Sequence, residues 1–374
     1  MRIAVDLTSL SGNLSGLERY AANITQSMIR LGRESKRYRR IKWILVVRNT
    51  VPEFVKELHE EMKGDIRVAM VKGGKLFINQ LKLPAVMWRI KADVYLFPAF
   101  PVPLLFGGKK GSRIFGLIAD TAVFDVPETM KLRSRLLFGA GLKHTANVCG
   151  GIITISEFSK SRIKEHLNPL GKVVMAPCAA DDMIGKDAVG KYGLPDRYIL
   201  ACSTLEPRKN TALIAEAYGS LVKEMSDKEL PPLVLAGRNG WKMKEEIEKI
   251  CGELGERVLV PGFIDDEDLG DLYAHADIFV DASVYEGFDM PPLEAMKCNV
   301  KKIILSDITV HREVFGDTVK YFKSGDAKEL AECIKKCIEG DDRIKPDEIS
   351  AVTEKYSWES SAKILLNEFT GKAL

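Results

Sequence analysis

The 374-residue chain has no uninterrupted apolar run near the ~18 residues that a transmembrane helix needs. Its closest stretch, residues 96–106, is broken by Pro98, Pro101 and Pro103. Met1-Arg2 leads straight into Ile3-Ala4-Val5, without the charged leader, apolar segment and cleavage site of a signal peptide. No CxxC pair occurs among the seven cysteines, which speaks against a zinc site or disulfide framework and for reduced core thiols in a cytoplasmic protein. Neither half opens on a G-x-G-x-x-G turn, which argues against a Rossmann-type oxidoreductase. Histidine is scarce, at five residues, and none forms a metal-ligand pair; His275 reads as structural. Aromatics are few beside the basic cluster at 33–42, where only Tyr38 and Trp43 could stack on bases. Nucleic acid is therefore not expected as a partner.

What is present is a soluble, globular composition, with 46% apolar and 29% charged residues. The length suggests two domains. The net charge of +3 hides an asymmetry: residues 1–150 carry +13 and residues 151–374 carry −10. A basic first half and an acidic second half would meet different partners; the basic cluster reads either as a solvated helix end and loop or as a contact for an anionic surface, acidic lipid before nucleic acid.

Short apolar strands alternate with amphipathic helices twice over. In the first series, Ile3–Leu7, Trp43–Val47, Asp93–Phe97, Ile114–Ile118 and Gly151–Ile155 read as buried parallel strands. Leu17, Tyr20, Ala21, Ile24, Met28 and Leu31 line one face of a helix, and Ser156 caps another. In the second series, Tyr198–Cys202, Leu233–Ala236, Arg257–Val260, Ile278–Asp281 and Lys302–Leu305 are strands, and Asn210 is expected to cap a helix. A last helix, capped by Ser357, should bury Trp358, Ala362, Leu365, Leu366 and Phe369. The pattern predicts an α/β fold of two Rossmann-like, doubly wound domains facing a central cleft, spanning 1–182 and 183–355, with a terminal helix at 356–374.

Two segments carry chemistry. In residues 281–296 a strand ends near Asp281, a loop holds Glu286-Gly287-Phe288-Asp289-Met290, and Pro291-Pro292 opens a helix whose first turn is expected to hold Glu294. A glycine loop before a helix start favours an anion, and carboxylates accept from vicinal hydroxyls, so a nucleotide-sugar satisfies both. The plain alternative is that Glu294 complements the helix dipole and Glu286 is a solvated loop residue. The second segment, Ser203-Thr204-Leu205-Glu206-Pro207-Arg208-Lys209-Asn210, places adjacent cations between a strand and a helix. They suit a diphosphate, or else flank a helix cap as exposed charges. The Asp266-Glu267-Asp268 run has the spacing of a metal-binding D-x-D, but acids are favoured at a helix start anyway.

Together these segments resemble the retaining glycosyltransferases of family 4, which have the two-domain GT-B fold. Their Glu-x7-Glu element stands here as Glu286 to Glu294, and their G-x-x-E-P-R-K-N turn as Leu205 to Asn210. Further matches are Met1 to Asp6 with Gly16 to Tyr20, Ile152 to Ser159, Pro261 to Ile264, Leu272 to Asp277 and Tyr356 to Glu359. The resemblance implies that Arg208 and Lys209 bind the donor diphosphate and that Glu286 sits by the donor sugar. It implies that Glu294 holds the ribose and that Gly287, Phe288, Asp289, Met290 and Leu293 line the donor site. Phe263 and Ile264 would meet the base, Gly12 and Gly16 would face the donor, and Ala119 and Asp120 would lie near the sugar. The first domain would take the acceptor and the second the donor, with the last helix packing back on the first domain. No cofactor and no metal are implied.

The partners implied are a nucleotide-sugar, GDP- or UDP-linked, and a glycan or lipid-linked acceptor, met at the inner face of the cytoplasmic membrane. A small soluble acceptor, or a silent nucleotide-sugar-binding protein, are the alternatives. Three departures stand out. The family's His-Asp pair reads Ala119-Asp120, its glycine after Phe288 is Asp289, and its Cys-Gly is Cys298-Asn299. Ala119 would mark a donor altered at C6, and asparagine tolerates a left-handed backbone.

Overall fold

A computed structural model describes residues 1–10, 14–74, 81–183, 185–226, 229–238, 240, 243–340 and 343–371. The chain forms two compact units, one of Met1–Cys178 with Tyr356–Leu374 and the other of Ala179–Lys355. Each is built on one all-parallel sheet with helices in the crossovers, so the α/β expectation of two Rossmann-like units is met.

The first sheet contains β1 (Arg2–Leu7), β2 (Lys42–Arg48), β3 (Ile66–Val71), β4 (Val94–Phe97), β5 (Arg113–Leu117), β6 (Gly151–Thr154) and β7 (Lys172–Met175). Its order is β3-β2-β1-β4-β5-β6-β7, with the direction of winding reversing between β1 and β4. Register sets Val5 of β1 between Leu45 of β2 and Leu96 of β4, an apolar row that is fully buried. Crossover helices cover both sheet faces, which is why the central strands read as continuous apolar runs.

The second sheet contains β8 (Tyr198–Cys202), β9 (Leu233–Ala236), β10 (Val258–Gly262), β11 (Ala276–Asp281), β12 (Ile303–Ser306) and β13 (Lys320–Phe322). Its order is β10-β9-β8-β11-β12-β13. Here the winding reverses between β8 and β11, and a doubly wound sheet binds ligands outside the carboxyl ends of its strands at such a point.

Helix Trp358–Thr370 belongs to the first unit, packed beside helix Gly16–Glu34. Phe369 sets its ring edge-on to Phe115 at 4.7 Å, and the Tyr38 hydroxyl donates to Asn367 at 2.6 Å. Ala362, Leu365, Leu366 and Phe369 are buried as expected. Trp358 is only half-buried, standing edge-on to Tyr20 in the helix's first turn. Among the described residues no helix is long and apolar enough to cross a membrane.

Candidate active site

The segment after β8 leaves the sheet through a tight crossing. The Leu205 amide donates to Arg238 O, and the Gly240 amide donates to Leu205 O. Gly237 sits at φ +139°, where a Cβ would lie 1.7 Å from Ser203 O, so only glycine fits this crossing. Pro207–Lys209 then makes one 3-10 turn. Asn210 follows at φ +50° and makes no side-chain cap bond, contrary to the expected cap; its left-handed backbone instead redirects the chain into helix Thr211–Glu224.

The segment after β11 meets that turn directly, the Val284 amide donating to Arg208 O at 3.0 Å. The Arg208 guanidinium donates to Tyr285 O at 2.9 Å and pairs with Glu286 Oε2 at 2.7 Å and Glu206 Oε1 at 2.9 Å. The Lys209 ammonium donates to Asp289 Oδ1 at 2.7 Å and Asp281 Oδ2 at 3.3 Å, and lies 2.9 Å from Glu286 Oε1. Both Lys209 and Glu286 are buried. Burial alone would depress the Lys209 pKa, but Asp281, Asp289 and Glu286 outweigh it and hold the ammonium well above its ordinary range. The reading of Arg208 and Lys209 as solvated charges beside a cap therefore fails, as does that of Glu286 as a solvated loop residue.

Asp289 stands at φ +72° before helix Met290–Lys297, in the left-handed region where glycine is ordinary. Its carboxylate turns into the core, where Oδ2 accepts from His311 Nε2 at 3.0 Å. His311 Nδ1 faces Ser306 O at 2.8 Å. Burial would raise the Asp289 pKa, but Lys209 and His311 hold it well below the carboxylate range. Asp281 is pushed the other way, by burial and then by repulsion from Asp289. Asp281, Asp289 and His311 each bring an atom within 4.8 Å of the others, a spacing a cation could use. The cation at this place is Lys209, bonded to both carboxylates.

Glu294 lies one turn deeper than expected, since the first turn of helix Met290–Lys297 holds no acid. It therefore does not complement the helix dipole; Tyr273 donates to its Oε2 at 3.0 Å. Gly287, Phe288, Met290 and Leu293 are buried as well. Phe263 and Ile264 follow β10, with the Arg238 guanidinium 4.3 Å over the Phe263 ring. Among the described residues, buried Ser283 Oγ has no hydrogen-bond partner and Glu286 Oε1 is met by the Lys209 ammonium.

The remaining expected residues belong to the first unit. Gly16 opens helix Gly16–Glu34, whose Ser15 amide donates to Glu18 Oε2 at 2.9 Å. Ala119 and Asp120 follow β5, and Asp120 Oδ1 accepts from the Ala122 amide. Gly12 lies outside the described residues. Sequence reasoning missed His311, Tyr273 and Arg238. The available signal was Asp289, because an acid in a glycine position of a buried loop needs a cationic partner. At the D-x-D spacing, Asp268 is tied to Lys191 and Tyr192 while Asp266 is exposed.

Residues 188–355 match the family model described as glycosyl transferases group 1. O-antigen chain mannosyltransferase B of Escherichia coli is 31% identical over 293 residues, covering 75% of this chain and 74% of that protein. Serotype-specific mannosyltransferase WbdA, also of Escherichia coli, is 32% identical over 185 residues, or 48% of this chain. The chain spans only 22% of the length of WbdA. Among solved structures, a sucrose-phosphate synthase from Thermosynechococcus elongatus superposes with a TM-score of 0.75 at 17% identity, covering 99% of this chain and 98% of that one. That likeness shows a shared GT-B fold.

Proposed function

The chain belongs to the group 1 glycosyltransferases, and from that premise we propose that it moves a hexose from a GDP- or UDP-linked donor to a glycan or lipid-linked acceptor. The setting proposed is synthesis of a cell-surface polysaccharide, with retention at the anomeric carbon and no metal ion. The observation that carries this is the joining of two loops at the β8–β11 switch point, where buried Lys209 and Glu286 form one ion network with half-buried Arg208. The names of the mannosyltransferase relatives support mannose as the first donor sugar to try.

In this reading the diphosphate meets Arg208 and Lys209, which stabilise the negative charge that develops as the leaving group departs. Glu286 accepts from hydroxyls of the donor sugar, and Glu294, oriented by Tyr273, accepts from the ribose. The bond from the anomeric carbon to the phosphate oxygen breaks, and the acceptor oxygen bonds that carbon from the same face. The acceptor proton passes to the departing phosphate oxygen, so the step needs no separate base.

The acceptor is assigned to the first unit, which also offers a surface for anionic lipid at the cytoplasmic face of a membrane. Leu132, Leu136 and Leu137 are exposed on helix Leu132–Val148, and Lys131, Arg133 and Arg135 are exposed among them. Cations and apolar side chains interleaved in this way suit a headgroup interface.

The deciding experiment is a thermal-shift and transfer assay with GDP, UDP, GDP-mannose and UDP-hexoses, each in EDTA and in magnesium. Stabilisation by one nucleotide in EDTA is expected, with turnover that falls at least about a hundredfold in Glu286→Gln. Absence of stabilisation by every nucleotide overturns the donor site, and binding without turnover would favour a silent sugar-nucleotide-binding protein.

A further inference from the structure

The buried pair formed by Asp289 and His311 has no part in the transfer step described above, yet it contacts that site's lysine. Asp289 holds a backbone conformation that costs an aspartate more than a glycine, and it places a carboxylate against Lys209. An added negative charge at this place opposes the binding of a diphosphate. A cation behind it would cancel that opposition.

His311 supplies one. Its Nδ1 faces the Ser306 carbonyl oxygen, which only accepts, and its Nε2 faces the Asp289 carboxylate. The Ser306 hydroxyl donates its own proton to Ser283 O at 2.6 Å, so it offers none to the ring. Both ring nitrogens therefore donate, and the ring is an imidazolium. The side chains of His311 and Asp289 are 0% and 1% exposed, so the pair is shielded from solvent.

We propose that Asp289 and His311 form a charge-compensated pair behind the donor site, in which the His311 imidazolium offsets the Asp289 carboxylate so that the Lys209 ammonium keeps its positive charge for the diphosphate. This rests on the reading of Arg208 and Lys209 as the diphosphate site. Three cations, Arg208, Lys209 and His311, then face four carboxylates, Glu206, Asp281, Glu286 and Asp289, of which Glu206 meets Arg208. The other charged groups around His311 are Asp281, Asp307 and Arg312, the last paired with Asp307 and Asp317. Tyr321 donates to the His311 carbonyl from β13. Burial would lower the His311 pKa, but the hydrogen bond and charge of Asp289, with Asp281 behind it, raise it above the ordinary histidine value. As pH climbs through that raised value the ring loses its proton, leaving Asp289 uncompensated, and nucleotide affinity falls.

The test is calorimetric titration with GDP and UDP from pH 6.5 to 9.5, with folding followed by circular dichroism. Relative to wild type at pH 7, His311→Gln should bind at least about tenfold more weakly. The double variant Asp289→Gly with His311→Gln, which removes both charges, should return to within about threefold of wild type and lose the alkaline decline. If His311→Gln binds as wild type does, or the double variant is as weak as the single, His311 does not compensate the charge of Asp289 and the donor reading stands. If wild type binds neither nucleotide, the donor reading fails and this inference falls with it. Should His311→Gln not fold, His311→Asn takes its place with the same two outcomes.

Discussion

Asp6 shows what a single buried charge does in this protein. It lies on β1, buried, with its Oδ1 accepting from the Thr8 amide at 3.0 Å and the Thr8 hydroxyl at 2.7 Å. Burial pushes its pKa up to about 6, against the lowering effect of those two bonds. A carboxyl whose folded pKa is raised makes the folded state lose stability as pH climbs from its unfolded value to its folded one. Asp6→Asn keeps an acceptor for Thr8 and removes the charge. It should therefore raise stability by about 3 kcal/mol at pH 8 and change little at pH 3.5. Urea denaturation at the two pH values reads the difference directly. An equal effect at both would mean that Asp6 is ionised in the fold at no cost. Asp289 is the opposite case: its charge is retained because Lys209 and His311 both bond to it.

At the scale of elements, the C-terminal helix Trp358–Thr370 completes the core of the first unit. Phe369 is fully buried and contacts Phe115 on β5, 254 positions earlier in the chain. Phe369→Ala should cost about 3–5 kcal/mol of that unit's stability, followed by urea denaturation. A loss below about 1 kcal/mol would show that the helix adds no core there. The helix was legible because its apolar residues recur at helical spacing. The central strands were legible for a related reason, since burial on both faces demands an unbroken apolar run. Three strands were not: β3, β7 and β13, all at sheet edges. Arg67 on β3 and Lys172 on β7 are exposed, and β13 is three residues long. An edge strand needs only one buried neighbour, so its apolar signal is diluted.

At the scale of the whole molecule, charge is divided rather than balanced. The first 150 residues hold 25 Lys and Arg against 12 Asp and Glu. They also hold the exposed leucines at 132, 136 and 137. The protein should sediment with vesicles containing phosphatidylglycerol and stay in solution with purely zwitterionic ones, binding less as salt rises. Leu132→Asp with Leu136→Asp should reduce sedimentation at least about tenfold without lowering nucleotide affinity. Equal binding to both vesicle types would remove the anionic surface from the proposal.

Composition, apolar periodicity and two short motifs were enough to determine an α/β chain of two doubly wound units and to single out the two loops proposed here to carry its chemistry. Those features are local, because a strand or a helix start declares itself within about ten residues. The partners of the charged groups are not local. Lys209 meets Asp281 and Asp289 only because β8 and β11 lie side by side, and Asp289 meets His311 only because β12, which leads to His311, lies beside β11. Sequence reading placed Asp289 as an anomaly in a glycine position. Tertiary structure made it half of a buried ion pair, since a charge enclosed at low dielectric survives only where folding brings opposite charge to it.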